Sequence, residues 1–422
     1  MLKADAQASQ ATSSGYWDEF SANDEIANEE ISVTILMPCL NEVKSLPYCL
    51  ERAQLALQSI YERHSLLGEI LISDNGSTDG SQALAEKFGA RVVHCREKGY
   101  GNVLRYGIAN ACGKYIVFGD SDGSYDFLES PDMVTKLVDG YDVCMGSRFL
   151  GEIKEGAMPW KNRYIGNPVL TGVLNLFFKT PISDAHCGMR SFTKDAITKI
   201  APVTNGMEFA SELVIKAQML RLRQDEVPVT LSPDKRDRAP HLRPWRDGWR
   251  HLRYLIMLSP SWLFFLPGLL MALAGISLFT ILLKETDNPG KIVSFLGLEF
   301  GDHWSIIAGG LICIGQLSML FGVANIVLGI SAGYRRFKDY PTVLRSLLKL
   351  EYMLLAGALC CLLSGITLAY VVRSWGANSF GGLHMIREMV IANTLLILGI
   401  QTIFSGFLLS ALAEKSSLFS SE

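Results

Sequence analysis

The sequence predicts an α/β fold: a doubly wound, mostly parallel sheet, followed by interfacial helices and four transmembrane helices. Two observations carry this. Between Ser32 and Phe118 short, β-branched apolar runs alternate with longer amphipathic ones, the pattern of βαβ units. Further on come four apolar windows, Pro260 to Leu283, Ile306 to Ile330, Met353 to Val372 and Met389 to Leu412, none with Asp, Glu, Lys or Arg. Each is close to the roughly 20 residues a spanning helix needs.

The soluble elements follow in order. Val33-Thr34-Ile35-Leu36-Met37 is the first strand, and a helix from Leu46 to about Arg63 has Ser45 as its cap and Leu50, Ala53, Leu57 and Ile60 as its buried stripe. Ile70 to Ile72 is a second strand, Gly80 to Phe88 a helix, Val92 to His94 a third strand, Asn102 to Ala111 a helix and Tyr115 to Phe118 a fourth strand. An apolar strand over Tyr141 to Met145 precedes Arg148, and Gly206 to Glu212 opens another helix, on which the role of Glu212 stays open, a solvent-facing position being one reading. Trp160 to Lys179 mixes aromatic and aliphatic residues with Lys161 and Arg163, which suits an amphipathic helix lying on a bilayer and suits core packing equally.

At 422 residues, 49% apolar and with a mean hydropathy of +0.22, the chain is too long for one ordinary domain and more apolar than a soluble protein needs to be. The expected layout is an acidic disordered tail at 1–30, a cytoplasmic domain at 31–235, a basic juxtamembrane segment at 236–258, four spans in two hairpins at 259–412 and a cytoplasmic tail at 413–422. Basic residues set the orientation. Arg335, Arg336, Lys338, Arg345 and Lys349 lie between the second and third spans, against Lys284 and Lys291 in one other connection and Arg373 and Arg387 in the other. By the positive-inside rule the richer loop is cytoplasmic, as are both termini and the large domain, in an inner or plasma membrane. The net charge of -3 combines an acidic beginning with a basic juxtamembrane region, which suits an anionic lipid surface and not a nucleic acid. The nine cysteines show no metal-binding spacing and read as reduced apolar fillers. The first thirty residues lack the apolar core of a secretory signal.

In an open α/β sheet, ligands bind at the carboxyl ends of the strands. Those ends carry Pro38-Cys39-Leu40-Asn41-Glu42, Asp74-Asn75-Gly76-Ser77-Thr78-Asp79-Gly80 and Asp120-Ser121-Asp122-Gly123. Asp120 and Asp122 can turn toward one divalent cation, and such a cation neutralises a diphosphate; a solvated acidic turn is the plainer reading of that pair alone. The arginine fork of Arg148 matches a phosphate or a surface acid.

Together with Gly146-Ser147-Arg148-Phe149, these motifs resemble the family-2 glycosyltransferases of the GT-A fold. Asp184-Ala185-His186-Cys187-Gly188-Met189-Arg190 is similar to the segment of the branch that makes polyprenyl-phosphate sugars, including the dolichyl-phosphate mannose and glucose synthases, with Met189 where relatives have Phe. The resemblance covers about Ile31 to Arg253 and implies a site. Pro38, Leu40 and Glu42 would hold the nucleoside, Asp74 the base imide, and Lys98, Asp120 and Ser121 the remainder of the nucleotide. Asp120 and Asp122 would bind Mg²⁺ or Mn²⁺, with Ser124 where relatives often have Gln, which leaves the third protein ligand open. Asp122, Arg148 and Asp184 form the catalytic set, Asp184 orienting substrates. Arg148, Arg163, Arg236 and Arg238 would meet the lipid phosphate. His186 reads as a hydrogen-bonded structural residue and stays outside the catalytic set.

The implied reaction is inverting transfer of a hexose from a sugar nucleotide to a membrane polyprenyl phosphate, which is already anionic and needs no strong base. UDP-glucose is the expected donor, although Asp74 suits uracil and guanine alike. A polysaccharide or glycolipid synthase is the enzyme alternative, since Gln218-Met219-Leu220-Arg221-Leu222 is similar to the signature of processive members but has Leu222 in place of Trp. A non-catalytic sugar-nucleotide-binding scaffold is the other. Homo-oligomerisation is open: Gly309, Gly310, Gly315, Gly322 and Gly329 would permit close helix contact.

Overall fold

The computed structural model describes residues 31–235, 244–283, 293–295, 298–340, 349–382 and 385–414. The expected acidic tail, Arg236 and Arg238, Lys284 and Lys291, Arg345 and the last eight residues lie outside them. The chain divides into two compact units between Leu255 and Ile256.

The first unit is built on a seven-stranded sheet. Its strands are β1 (Ile31–Cys39), β2 (Leu67–Asp74), β3 (Arg91–His94), β4 (Tyr115–Phe118), β5 (Val143–Ser147), β6 (Arg190–Thr193) and β7 (Gln224–Pro228), in the order β3-β2-β1-β4-β6-β5-β7. Pairing is parallel throughout except at β6, which runs antiparallel to β4 and β5. The short Arg190-Ser-Phe-Thr strand has no apolar run, so nothing in its local pattern marks it. β5 starts two residues later than expected, which puts Arg148 directly after the strand.

Val33, Ile35, Leu36 and Met37 are all fully buried, as a strand covered on both faces requires. Against β1 and β2 lies helix α1 (Leu46–His64), burying Leu46, Cys49, Leu50, Ala53, Ala56 and Ile60, with Leu57 only half-buried. Ser45 does not cap α1 as expected: its hydroxyl donates to Glu42 and to the Ser121 carbonyl instead. The later helices are α2 (Ser81–Lys87), α3 (Tyr100–Asn110), α4 (Ser130–Val138), α5 (Asn167–Phe178), α6 (Lys194–Ile200), α7 (Phe209–Met219) and α8 (Pro244–Met257). Glu212 on α7 is fully buried, not solvent-facing, because Lys216 one turn on neutralises it at 2.6 Å. A wide turn over Asn162–Gly166 leads into α5. Trp160, Tyr164, Ile165, Val169 and Leu176 are more than half exposed along it, and only Thr171 and Leu174 are buried.

The second unit holds four helices long and apolar enough to cross a membrane, Ser261–Leu283, Trp304–Ser331, Leu350–Ala377 and Ile386–Ala413. They are called TM1 to TM4 below. At ~1.5 Å per residue TM2 to TM4 exceed the apolar windows because the helices continue into polar flanks. Without a hydrophobic drive between spans, contact depends on small residues. A Cβ at Gly315 would meet the Gly268 carbonyl at 2.6 Å, one at Gly309 the Thr394 hydroxyl at 2.4 Å and one at Gly322 the Phe265 ring at 2.7 Å. Gly329 abuts Arg335, whereas Gly310 has nothing within 4 Å. Gly357 and Gly399 bring TM3 and TM4 together in the same way. Arg387, counted from sequence as a loop cation, is buried and donates to Asp302 and to the Leu282 carbonyl, both at 2.6 Å, tying three helix ends.

Gly315→Leu is therefore expected to cost about 1–3 kcal/mol by overpacking, read as an earlier thermal melt in detergent, whereas Gly310→Leu leaves the melt unchanged.

Candidate active site

Chain order reverses at β1: β2 and β3 lie on one side of it and β4 on the other. This is the switch point at whose carboxyl edge an open α/β sheet takes its ligands, and the loops after β1 and β4 meet there. Two hydroxyls stitch them together. Ser121 donates to the Pro38 carbonyl at 2.7 Å and Ser45 to the Ser121 carbonyl at 2.8 Å. Ser121, expected to touch nucleotide, is thus buried with its hydroxyl committed to the neighbouring loop. Asn41, at φ 57, turns the β1 loop, and its side chain accepts from the Thr78 amide at 2.8 Å. Pro38 and Leu40 stay half-exposed on the rim, and Glu42 is buried, accepting from Ser45 at 3.1 Å.

Asp74 closes β2 and is only 1% exposed. It accepts from the Gly76 amide at 2.9 Å, the Ser77 amide at 3.1 Å and the Gln82 side chain at 2.7 Å. Burial pushes its carboxyl up, but these donors outweigh burial and hold it below the ordinary carboxylate value. These three donors occupy most of the roughly four lone-pair sites of the carboxylate. Asp79 accepts from the Val43 amide at 3.0 Å and from Ser81, so it joins the β1 and β2 loops. Lys98 is exposed at the approach to α3.

Asp122 is buried, and one of its oxygens accepts from the amide and hydroxyl of Ser124. The residue standing where relatives often have Gln therefore holds the carboxylate in place. Asp120, half-buried, accepts from the Tyr100 hydroxyl at 3.1 Å; burial, then the Asp120 charge, raise that phenol well above its ordinary value. Two carboxylates one residue apart, with oxygen donors only, suit a hard divalent cation that keeps water and phosphate in its other positions. Among the described residues no group of three or more His, Cys, Asp or Glu converges to cage one. The 231–235 segment runs along this loop: the Ser232 amide donates to Ser124, the Lys235 amide to Asp122, and the Lys235 ammonium sits 2.9 Å from the Tyr48 ring centre.

Arg148 and Asp184 form one buried unit. The guanidinium donates to both carboxylate oxygens, at 2.6 and 2.7 Å, and the Arg148 amide donates as well. Burial alone would pull the guanidinium down; Tyr125 and Asp184 hold it well above its ordinary value. Asp184 is fully buried, with both its oxygens on Arg148. Arg163, in the turn before α5, stacks on Tyr164. His186 donates or accepts with Ser211, which also bonds His251 at 2.8 Å, and burial, then His251, keep the His186 ring neutral. Gln218, considered above for a processive signature, donates to the Lys179 carbonyl at 3.0 Å from the end of α7.

Sequence reasoning missed Tyr100, Tyr125, Gln82 and Lys235. Tyr100 stands between Gly99 and Gly101, a signal of close backbone approach; the other three carry no local mark.

Asp184→Asn leaves the Arg148 charge buried and unpaired, and is expected to cost about 3–5 kcal/mol, seen as a lower melting temperature. For Asp74 the folded value lies below the unfolded one, near 3.9. Its stabilisation is then complete above that pH and disappears as pH falls through the folded value. Asp74→Asn should melt earlier than the parent at pH 7, with the gap narrowing toward pH 3 in a pH series of melts.

Residues 34–201 match the glycosyl transfer family 2 model ("Glycosyl transferase family 2"), and residues 323–413 match "Glycosyltransferase family 2 C-terminal transmembrane region". The second match covers the end of TM2 and all of TM3 and TM4, which with the four apolar helices marks the chain as a membrane protein. The low-salt glycan biosynthesis hexosyltransferase Agl6 of Haloferax volcanii is 35% identical over 93% of this chain and 91% of its own. The dolichyl-phosphate beta-glucosyltransferase of Saccharomyces cerevisiae is 28% identical over 49% of this chain and 69% of its own. Glucosyl-3-phosphoglycerate synthase of Mycobacterium tuberculosis, solved with Mn²⁺ and UDP, matches at 20% identity, over 58% of this chain and 81% of that one, with a TM-score of 0.41. The chain belongs to glycosyltransferase family 2, with a dolichyl-phosphate glucosyltransferase among its relatives.

Proposed function

We propose that this glycosyltransferase moves a hexose, from UDP-glucose as the first candidate donor, onto a membrane polyprenyl phosphate with inversion, giving a lipid-linked monosaccharide. The observation that carries the proposal is the Asp120/Asp122 pair at the switch point on the carboxyl edge of the sheet, in a chain with four apolar helices of spanning length. The named relatives, a hexosyltransferase and a dolichyl-phosphate glucosyltransferase, support the donor and acceptor classes.

Pro38, Leu40 and Glu42 line the nucleoside side of the site, Asp74 offers its remaining acceptor site to the base, and Lys98 reaches the phosphates. Mg²⁺ or Mn²⁺ held by Asp120 and Asp122 supplies charge neutralisation for the departing diphosphate. Arg148, aimed by Asp184, brings positive charge to the lipid phosphate or to the leaving group. Because that phosphate is an anion near neutral pH, the chain needs to orient it more than to deprotonate it. Arg163, with Arg236 and Arg238, draws the same headgroup in, and the exposed Trp160, Tyr164, Ile165, Val169 and Leu176 rest in the bilayer interface. Arg335, Arg336 and Lys338 support a cytoplasmic catalytic domain and cytoplasmic termini.

Purified protein incubated with undecaprenyl or dolichyl phosphate, Mg²⁺ or Mn²⁺ and radiolabelled sugar nucleotides should put label into the organic phase. Asp122→Ala should reduce that label at least about 100-fold, in the range seen when charge-stabilising groups are removed. Label appearing in polymer, or nucleotide binding with no transfer to any lipid phosphate, would overturn the acceptor assignment.

A further inference from the structure

The buried pair Glu212–Lys216 lies on α7, away from the strand-end motifs in sequence, and the proposed reaction has no use for it. Its surroundings show what it holds. Glu212 accepts from the Val203 amide at 3.0 Å and from the Thr204 amide at 2.8 Å, and also from the Thr204 hydroxyl. Lys216 donates to the Ala201 carbonyl at 3.0 Å. One ion pair thus gathers the backbone from Ala201 to Thr204, a connection that includes the left-handed Ala201 at φ 42. Burial would raise the Glu212 carboxyl, but the Lys216 charge and these donors keep it below its ordinary value, so the clamp stays charged at neutral pH.

That connection in turn seats the start of α3. The Gly101 amide donates to the Asn205 carbonyl at 3.0 Å, and Arg105 donates to the Val203 carbonyl at 3.2 Å and to the Asn205 side chain at 3.1 Å. The approach is too close for any side chain at the two glycines. A Cβ at Gly101 would lie 2.2 Å from the Thr204 carbonyl, and one at Gly99 would lie 2.4 Å from the Asn205 carbonyl. From the other side, the Asn75 side chain accepts from the Gly99 amide at 3.1 Å and donates to the Glu97 carbonyl at 2.7 Å. Between the two glycines stands Tyr100, whose hydroxyl reaches Asp120.

We infer that Glu212 and Tyr100 are positioning residues for the cation site: the Glu212–Lys216 clamp fixes the 201–205 connection, this seats Gly99 to Gly101, and the Tyr100 hydroxyl sets the rotation of the Asp120 carboxylate. The inference rests on the reading that Asp120 and Asp122 bind the divalent cation. Partners of a ligating group, as distinct from the ligands themselves, orient it and tune its affinity, and losing one commonly costs 10- to 100-fold in metal affinity.

The test is Mn²⁺ binding by electron paramagnetic resonance on the full-length protein in nanodiscs with UDP present, so that the readout is metal occupancy and not turnover. Tyr100→Phe, which removes only the hydroxyl, should raise the Mn²⁺ concentration for half-occupancy about 10-fold. Gly101→Ala, which pushes the two connections apart, and Glu212→Gln should shift it in the same direction. If Glu212→Gln fails to fold, Tyr100→Phe and Gly101→Ala carry the test. Asp122→Ala separates the two layers of the argument. A shift in Asp122→Ala with none in Tyr100→Phe or Gly101→Ala overturns the positioning chain and keeps the cation site. No shift in Asp122→Ala overturns the cation assignment, and the positioning role with it.

Discussion

Four carboxylates, Glu42, Asp74, Asp120 and Asp122, share the carboxyl edge of one sheet, and keeping like charges there is the constraint to which the rest of the domain answers. Each has its own local donor: Ser45 for Glu42, the Gly76 and Ser77 amides with Gln82 for Asp74, Tyr100 for Asp120 and Ser124 for Asp122. Hydrogen bonds to the ionised form are what allow a buried carboxylate to stay charged. The buried pair of Arg148 with Asp184 is neutral as a unit. An edge that gathers ionised carboxylates in this way suits a divalent ion brought in with an anionic diphosphate.

The same logic of satisfied buried charge recurs at a distance. Glu212 with Lys216 and Arg387 with Asp302 both bind backbone carbonyls or amides as well as each other. Breaking such a pair costs more than forming it gains, because a lone charge is left in a poor solvent. These pairs act as joints, each holding several segments of backbone in one arrangement. In the membrane-spanning unit small residues bring helix backbones together, Gly268 against Gly315 and Gly357 against Gly399, and polar side chains such as Gln316, which donates to Thr402 at 2.8 Å, bond across helices.

Much of this was legible in the chain. Residues such as Val33 to Met37 and Tyr115 to Phe118 announce buried strands by composition alone, and charge-free windows of spanning length announce the four long helices. The motif series falls at the carboxyl edge of the sheet, since parallel strands end on one rim. The failures have a common cause. Ser45 looked like a helix cap and proved to be a stitch to Ser121, and Glu212, whose role the sequence left open, is buried against Lys216 and the 203–204 backbone. Ser121 is remote from Ser45 in sequence, and the burial of Glu212 depends on a packed surface that local periodicity cannot see.

What the sequence determined by itself is the family, the first strands and helices of the sheet and the four long apolar helices, because strand and helix periodicity, span length and short motifs are local properties of the chain. What only the tertiary structure decided is which polar groups face the site and which hold the others still. β6 turns antiparallel to carry Arg190 and the loop before it between β4 and β5, and this brings Asp184 to Arg148 from 36 residues away. A side chain's role there depends on the hydrogen-bond partner it finds across the fold, and that partner has no signature in its own neighbourhood.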